Sequence, residues 1–158
     1  AAFTVQEEVG LRGAEVAAKR LKPDVAFALE GTTAHDIPDP EADPDDLTVP
    51  NPSCKVGDGP ALTVMDRSLI TPPHILRFLR QTGDANNIPY QLKTALGGGN
   101  DAGRIQVMNG GIPSATISVP CRYIHSPTAF LSRVDYDNTV QLVQAALQGI
   151  TREAITLE

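Results

Sequence analysis

Apolar and polar positions along the chain alternate in blocks that switch between two periods. Ala1 to Val5 is short and strand-like and is followed by Gln6-Glu7-Glu8. Between Leu11 and Leu21 the apolar residues Leu11, Val16-Ala17 and Leu21 recur at helical spacing, and Pro23 stops the pattern. Val25-Ala26-Phe27-Ala28-Leu29 is a continuous apolar run ending at Glu30, as expected of a strand covered on both faces. Ala61 to Met65 predicts another strand, and His74 to Thr82 a helix whose inner face is Ile75, Leu76, Phe78 and Leu79.

The second half repeats this theme. Tyr90 to Leu96 predicts a strand, Gly97-Gly98-Gly99-Asn100 a turn, and Asp101 to about Met108 a helix. Ala115 to Val119 is a further buried strand, and Asp135 to Ile150 the longest helix, with Val140, Leu142-Val143, Ala146 and Leu147 on one side. Strands alternating with helices predict an α/β fold: a mixed, largely parallel sheet with helices on both faces. Asp36 to Pro60 breaks the rhythm, with six prolines and six aspartates. That density forbids a regular helix or a central strand, leaving a solvated excursion or the rim of a substrate entrance.

Composition narrows the function classes. The 158 residues carry 13 Lys and Arg against 19 Asp and Glu, a net charge of −6. An acidic surface repels phosphate backbones, so nucleic acid is not an expected partner. No apolar run approaches the roughly 20 residues of a membrane span, and the N-terminus does not read as a secretory signal. Two distant cysteines, Cys54 and Cys121, make no disulfide framework. A cytoplasmic setting is the expectation.

In open α/β sheets ligands gather at the carboxyl ends of strands. Glu7 and Glu8 follow the first predicted strand, Glu30 the second, and His125 comes shortly after Ala115–Val119. Carboxylates and an imidazole converging at one edge would form a ligand set for Zn, Mn or Co. The same residues are equally readable as solvated groups. Adjacent Glu7 and Glu8 between apolar Val5 and Val9 suit one carboxylate on a metal and its neighbour as a base.

The stretch Phe3-Thr4-Val5-Gln6-Glu7-Glu8-Val9-Gly10-Leu11-Arg12-Gly13-Ala14 resembles the metal-binding segment of the tetrahedral aminopeptidases, a family that includes glutamyl and deblocking aminopeptidases and members labelled endoglucanases. Further matches follow in order. They are Ala28-Leu29-Glu30-Gly31-Thr32-Thr33, Asp36-Ile37-Pro38, Met65-Asp66-Arg67-Ser68, Ile88-Pro89-Tyr90-Gln91, Gly97 to Gly103, Gly111-Ile112-Pro113 and Val119 to Ser126. The resemblance implies a zinc-exopeptidase-like fold and an aminopeptidase that removes N-terminal residues from peptides with two divalent ions. Glu7 then resembles the general base, Glu8 and His125 the ligands of one ion, and Glu30 the ligand of the second. Glutamate at position 30 departs from the family's frequent aspartate, and Asn100 stands where threonine is common.

The family also uses a histidine and a metal-bridging aspartate upstream of its Gln-Glu-Glu motif. Only six residues precede Glu7, and none is histidine or aspartate. The resemblance therefore implies that residues 1–158 are the C-terminal part of a catalytic domain, without the family's inserted oligomerisation domain and inactive alone. Homo-oligomers are expected of the intact protein. His35 and His74 match no ligand position. Three other readings stand beside this one. An inactive fragment or interaction module follows if these residues are the whole molecule. A glycoside hydrolase suffers from adjacent glutamates pointing to opposite sides and from the absence of tryptophan. A dinucleotide site at Gly97-Gly98-Gly99-Asn100-Asp101-Ala102 lacks the acidic residue about 20 positions on.

Overall fold

The computed structural model describes residues 1–38, 51–94 and 97–156. Its strands are β1 (Ala26–Thr33), β2 (Ala61–Met65), β3 (Gln91–Thr94), β4 (Ser114–Arg122) and β5 (Phe130–Leu131). The helices are α1 (Arg12–Leu21), α2 (Pro73–Ala85), α3 (Asp101–Ile105), α4 (Arg133–Gly149) and α5 (Arg152–Ile155). The sheet order is β1-β4-β2-β3, with β5 paired to β4. β1 and β4 run parallel, as do β2 and β3, and β4 is antiparallel to β2 and β5. This is the mixed, largely parallel α/β sheet that the alternation of blocks predicts.

β4 lies at the centre and its residues divide by parity. Ala115 and Ile117 join Leu62, Ile75, Leu79, Ile88, Leu142 and Ala146 in the main core, so this face lies under α2 and α4. Ser114, Thr116 and Ser118 point the other way and are fully buried. Thr116 Oγ1 donates to Asn100 Oδ1 at 2.8 Å beneath α3, and Ser118 Oγ donates to Glu30 Oε1 at 3.3 Å. The sheet thus has an apolar face that stabilises the fold and a hydroxyl-lined face toward the candidate site.

Local chemistry explains the helices. α2 begins with Pro73, whose missing N–H is harmless in a first turn, and buries Ile75, Leu79 and Gly83 on one stripe. α4 is capped by Ser132, which accepts from the Asp135 amide at 3.3 Å. The Asp135 carboxylate is fully buried and accepts from the amides of Gly57 and Gly59 at 2.6 and 2.9 Å, tying the segment before β2 to this helix.

Several sequence expectations are corrected. Ala1 to Val5 is not a strand. Its end folds back onto α1, where the Gly13 amide donates to the Val5 carbonyl at 2.9 Å. A strand needs a neighbouring ladder, and here a local turn takes that carbonyl instead. Glu30 lies within β1 and not beyond it, because β1 continues to Thr33 beside β4. α3 ends at Ile105, short of Met108, where the chain turns at Asn109 and Gly110 with positive φ. β3 is described from Gln91 to Thr94, and residues 95–96 of its predicted span lie outside the described residues. So does 39–50 of the proline-rich segment.

The described start of that segment is anchored. Arg122, the last residue of β4, donates from Nε and Nη2 to Asp36 at 2.8 and 3.0 Å, and the Val56 amide adds a third bond at 2.8 Å. Arg122 is therefore engaged in a two-pronged ion pair. Its guanidinium holds the Asp36 carboxyl below the usual range. A carboxylate depressed in the folded state contributes stability above its unfolded pKa, and that stability is lost as pH falls through the folded value. Asp36→Asn should lower Tm by about 3 °C at pH 7. The difference from the parent should shrink as pH falls below about 4, where an unfolded aspartate takes up its proton. Thermal unfolding followed by circular dichroism across pH 2–7 checks this, and a gap independent of pH would exclude an ionic origin.

Candidate functional site

Gln6, Glu7 and Glu8 ride on a tight turn. The Glu7 carbonyl accepts from the amides of Gly10 and Leu11 at 3.1 and 2.9 Å, and Arg12 N donates to the Gln6 carbonyl at 3.2 Å. Gln6 and Leu11 both have left-handed backbone, with φ of 60° and 57°. Gly13 is required beneath them: a Cβ there would lie 2.3 Å from the Val5 carbonyl oxygen, inside any tolerable contact. His125 sits on the loop after β4 in a similar state, with φ of 63°, and Tyr123 has φ of 60°. Both loops therefore hold non-glycine residues in a costly conformation, a pattern that clusters at functional sites.

The two loops meet. Nε2 of His125 lies 3.2 Å from Oε1 of Glu8, and both side chains are about 70% solvent-exposed, so the pair is open to an incoming ligand (68% and 72%). Glu7 is half-buried beside them. Its pKa is raised, first by burial and then by the charges of Glu8 and Asp101, with His125 opposing. Glu30 faces the same cleft from the sheet. Burial pushes its carboxyl up to about 7, against the opposing influence of Lys93 and the Ser118 hydroxyl, while Glu7 and Asp66 add repulsion. Glu7 thus lies within electrostatic reach of Glu8, His125 and Glu30, which come with it from three separated segments.

They do not close a complete metal shell. Among the described residues no group of three His, Cys, Asp or Glu side chains is gathered tightly enough to hold an ion. Glu8 and His125 fit as two donors of one ion, since a carboxylate and an imidazole already face each other in the open. Glu30 stands apart as a single partly buried carboxylate, raised chiefly by its removal from water despite the opposing charge of Lys93.

Other motifs have local tasks. Asp66 Oδ1 accepts from Ser68 N, Ser68 Oγ and Leu69 N at 2.6, 2.9 and 2.8 Å, and its Oδ2 accepts from Asn100 Nδ2 at 2.8 Å. Asn100 also caps α3, accepting from Ala102 N at 2.9 Å. It is buried and fully employed in this network, which places it below the surface where a substrate would lie. Arg104 lies 3.5 Å from Glu15 on the outer face of the helices. His74 lies in the first turn of α2, and His35 Nδ1 lies 2.5 Å from Ser53 Oγ. Asp101, beside Glu7, was not marked by spacing, because the residues it meets are nearly a hundred positions away.

The architecture is a mixed α/β sheet with two loops, each holding left-handed residues, that present carboxylates and a histidine. The TET aminopeptidase from a marine sediment archaeon, Thaumarchaeota archaeon SCGC AB-539-E09, superposes with a TM-score of 0.87 at 39% identity, over 96% of this chain and 40% of that one. A Thermotoga maritima protein named an endoglucanase does so with a TM-score of 0.66 at 33% identity, over 97% and 40%. A provisionally named aminopeptidase of Acetivibrio thermocellus is 46% identical over 145 residues, 92% of this chain and 41% of its own length. Residues 1–142 match the family described as M42 glutamyl aminopeptidase, and the chain belongs to that family. It spans about two-fifths of the length of the relatives it matches. No helix among the described residues is long and apolar enough to cross a membrane.

Proposed function

We propose that this chain supplies the base and three metal ligands of a dinuclear aminopeptidase, with Glu7 as the base, Glu8 and His125 on one ion and Glu30 on the other. The Glu8–His125 pair carries the reading: two residues 117 positions apart meet at 3.2 Å between strained loops, with Glu7 alongside. When bound, the divalent ions (Zn, Co or Mn) would supply a water of lowered pKa and a polarised substrate carbonyl. Glu7 accepts the water's proton on its carboxylate and returns it to the leaving amine. Its partial burial and acidic neighbours favour the exchange by bringing its pKa toward neutrality. Membership of the family, the aminopeptidase relatives and the shared fold support peptide substrates. Cytoplasmic homo-oligomers of the intact protein belong to the same proposal.

Metal content tests the ligand assignment. Glu8→Ala and His125→Ala should each weaken cobalt binding by about 10- to 100-fold, read by the visible absorption of the bound ion and by equilibrium dialysis. Their double variant should cost little more than either single one, since both act on one ion. Additive losses would separate the two residues and defeat the shared site.

A further inference from the structure

Resting on the assignment of Glu7 and Glu8 above, we propose that Asp101 is a positioning residue that clasps their turn through Thr4.

Asp101 is the first residue of α3, and its Oδ2 accepts a short hydrogen bond of 2.5 Å from the Thr4 hydroxyl, 97 positions away. An aspartate in a first helical turn is ordinary, because its charge suits the helix N-terminus. The contact with Thr4 is not explained by that preference. Its other oxygen, Oδ1, is buried and has no hydrogen-bond partner among the described residues. A buried acceptor left unpaired is a standing cost, and the carboxylate also repels Glu7. A chain selected for local stability alone would place a neutral residue here, and such local conflicts are expected where a site is being held in place.

The mechanical consequence follows from the turn. Thr4 lies one residue before Val5, whose carbonyl accepts from Gly13 N, and three before Glu7. Gly13 seats the turn from below, since no side chain fits between it and Val5. Asp101 holds it from the side, linking it to α3. The same helix start is fixed from beneath by Asn100, which bonds Asp66 and Thr116. Thr4 is thereby connected through α3 to the hydroxyl face of β4, the face that carries Ser118 and meets Glu30. Without the clasp, the left-handed turn at Gln6 keeps its own backbone bonds and the exposed Glu8–His125 pair.

Hydrogen exchange in the 158-residue chain reads this directly and needs neither metal nor turnover. The amides of Arg12 and Gly13 donate to Gln6 and Val5 and report the turn. Asp101→Ala and Thr4→Val should each accelerate their exchange by roughly tenfold, the loss of one hydrogen bond. Amides of α4 and β4 should be unchanged. Thr4→Ser and Asp101→Asn keep a donor and an acceptor and should restore parental protection, which a general packing role would not give. If Asp101→Ala unfolds, Thr4→Val decides by itself. Parental exchange at Arg12 and Gly13 in Thr4→Val, or no rescue by Asp101→Asn, would overturn the clasp. Because no metal is involved, either result stands whatever happens to the ligand assignment.

Discussion

Glu7→Gln in a protein carrying the family's full length should abolish hydrolysis of aminoacyl-p-nitroanilides while leaving metal content nearly intact. Glutamine keeps the size of the side chain and a carbonyl acceptor, so the turn from Val5 to Gly13 should persist. It removes the basic oxygen. General acid–base catalysis is worth about 10²–10⁴-fold, and a base that must both take and return a proton lies at the upper end. The geometry separates the two adjacent glutamates: Glu8 faces His125 at 3.2 Å, whereas Glu7 is half-buried and has no such partner. Loss of both metals from the Glu7→Gln protein, measured by atomic absorption beside the rates, would move Glu7 into the ligand shell and end its role as base.

The second large effect concerns these 158 residues prepared by themselves. Loaded with cobalt or zinc, they should show no turnover of aminoacyl-p-nitroanilides, although the sheet should be folded. A catalytic metal typically keeps three protein ligands and one open position. On the proposed assignment one ion would have Glu8 and His125 and the other Glu30, and among the described residues no three candidate ligands gather around one point. Burial first, and neighbouring carboxylates after it, raise Glu7 and Glu30 and disfavour their ionised forms. Supplying the family's N-terminal part, in cis or as a complementing fragment, should restore activity. Turnover at an enzyme-like rate by the isolated chain would show the ligand count to be wrong.

Much of the fold is written in local patterns. The run at residues 25–29, the strand at 61–65 and the amphipathic stripes of α2 and α4 need no distant information, because side-chain periodicity declares them. Of the residues expected past strand ends, His125 does follow β4, whereas Glu7 and Glu8 sit on a turn that no strand precedes. What escaped was set by distant neighbours. Ala1 to Val5 has strand composition but makes no ladder, and the alternation predicts a mixed sheet without saying that β2 is the strand β4 meets antiparallel. Glu30 looked like a residue past a strand end because the apolar run stops there, yet pairing with β4 carries β1 three residues further. Asp36 and Asp101 could not be valued, since their partners Arg122 and Thr4 are 86 and 97 positions away.

The parity of β4 has a consequence for the order of assembly. Its register with β1 pairs residues about 88 positions apart, as the Ser118–Glu30 contact shows. Closing so long a loop costs entropy before any contact rewards it, and folds dominated by such pairings form slowly. The helix α2 and the β2–β3 pair can gather from nearby sequence, but β4 must reach back across both to find β1. A slip of one residue in that search would turn Ser114, Thr116 and Ser118 into the apolar core and expel Ala115 and Ile117. The correct register is therefore selected by hydroxyls as much as by hydrocarbon. Glu8 and His125 meet only once it is found, so a metal bound by them as proposed would trap the finished fold, with no half-built pair to nucleate on.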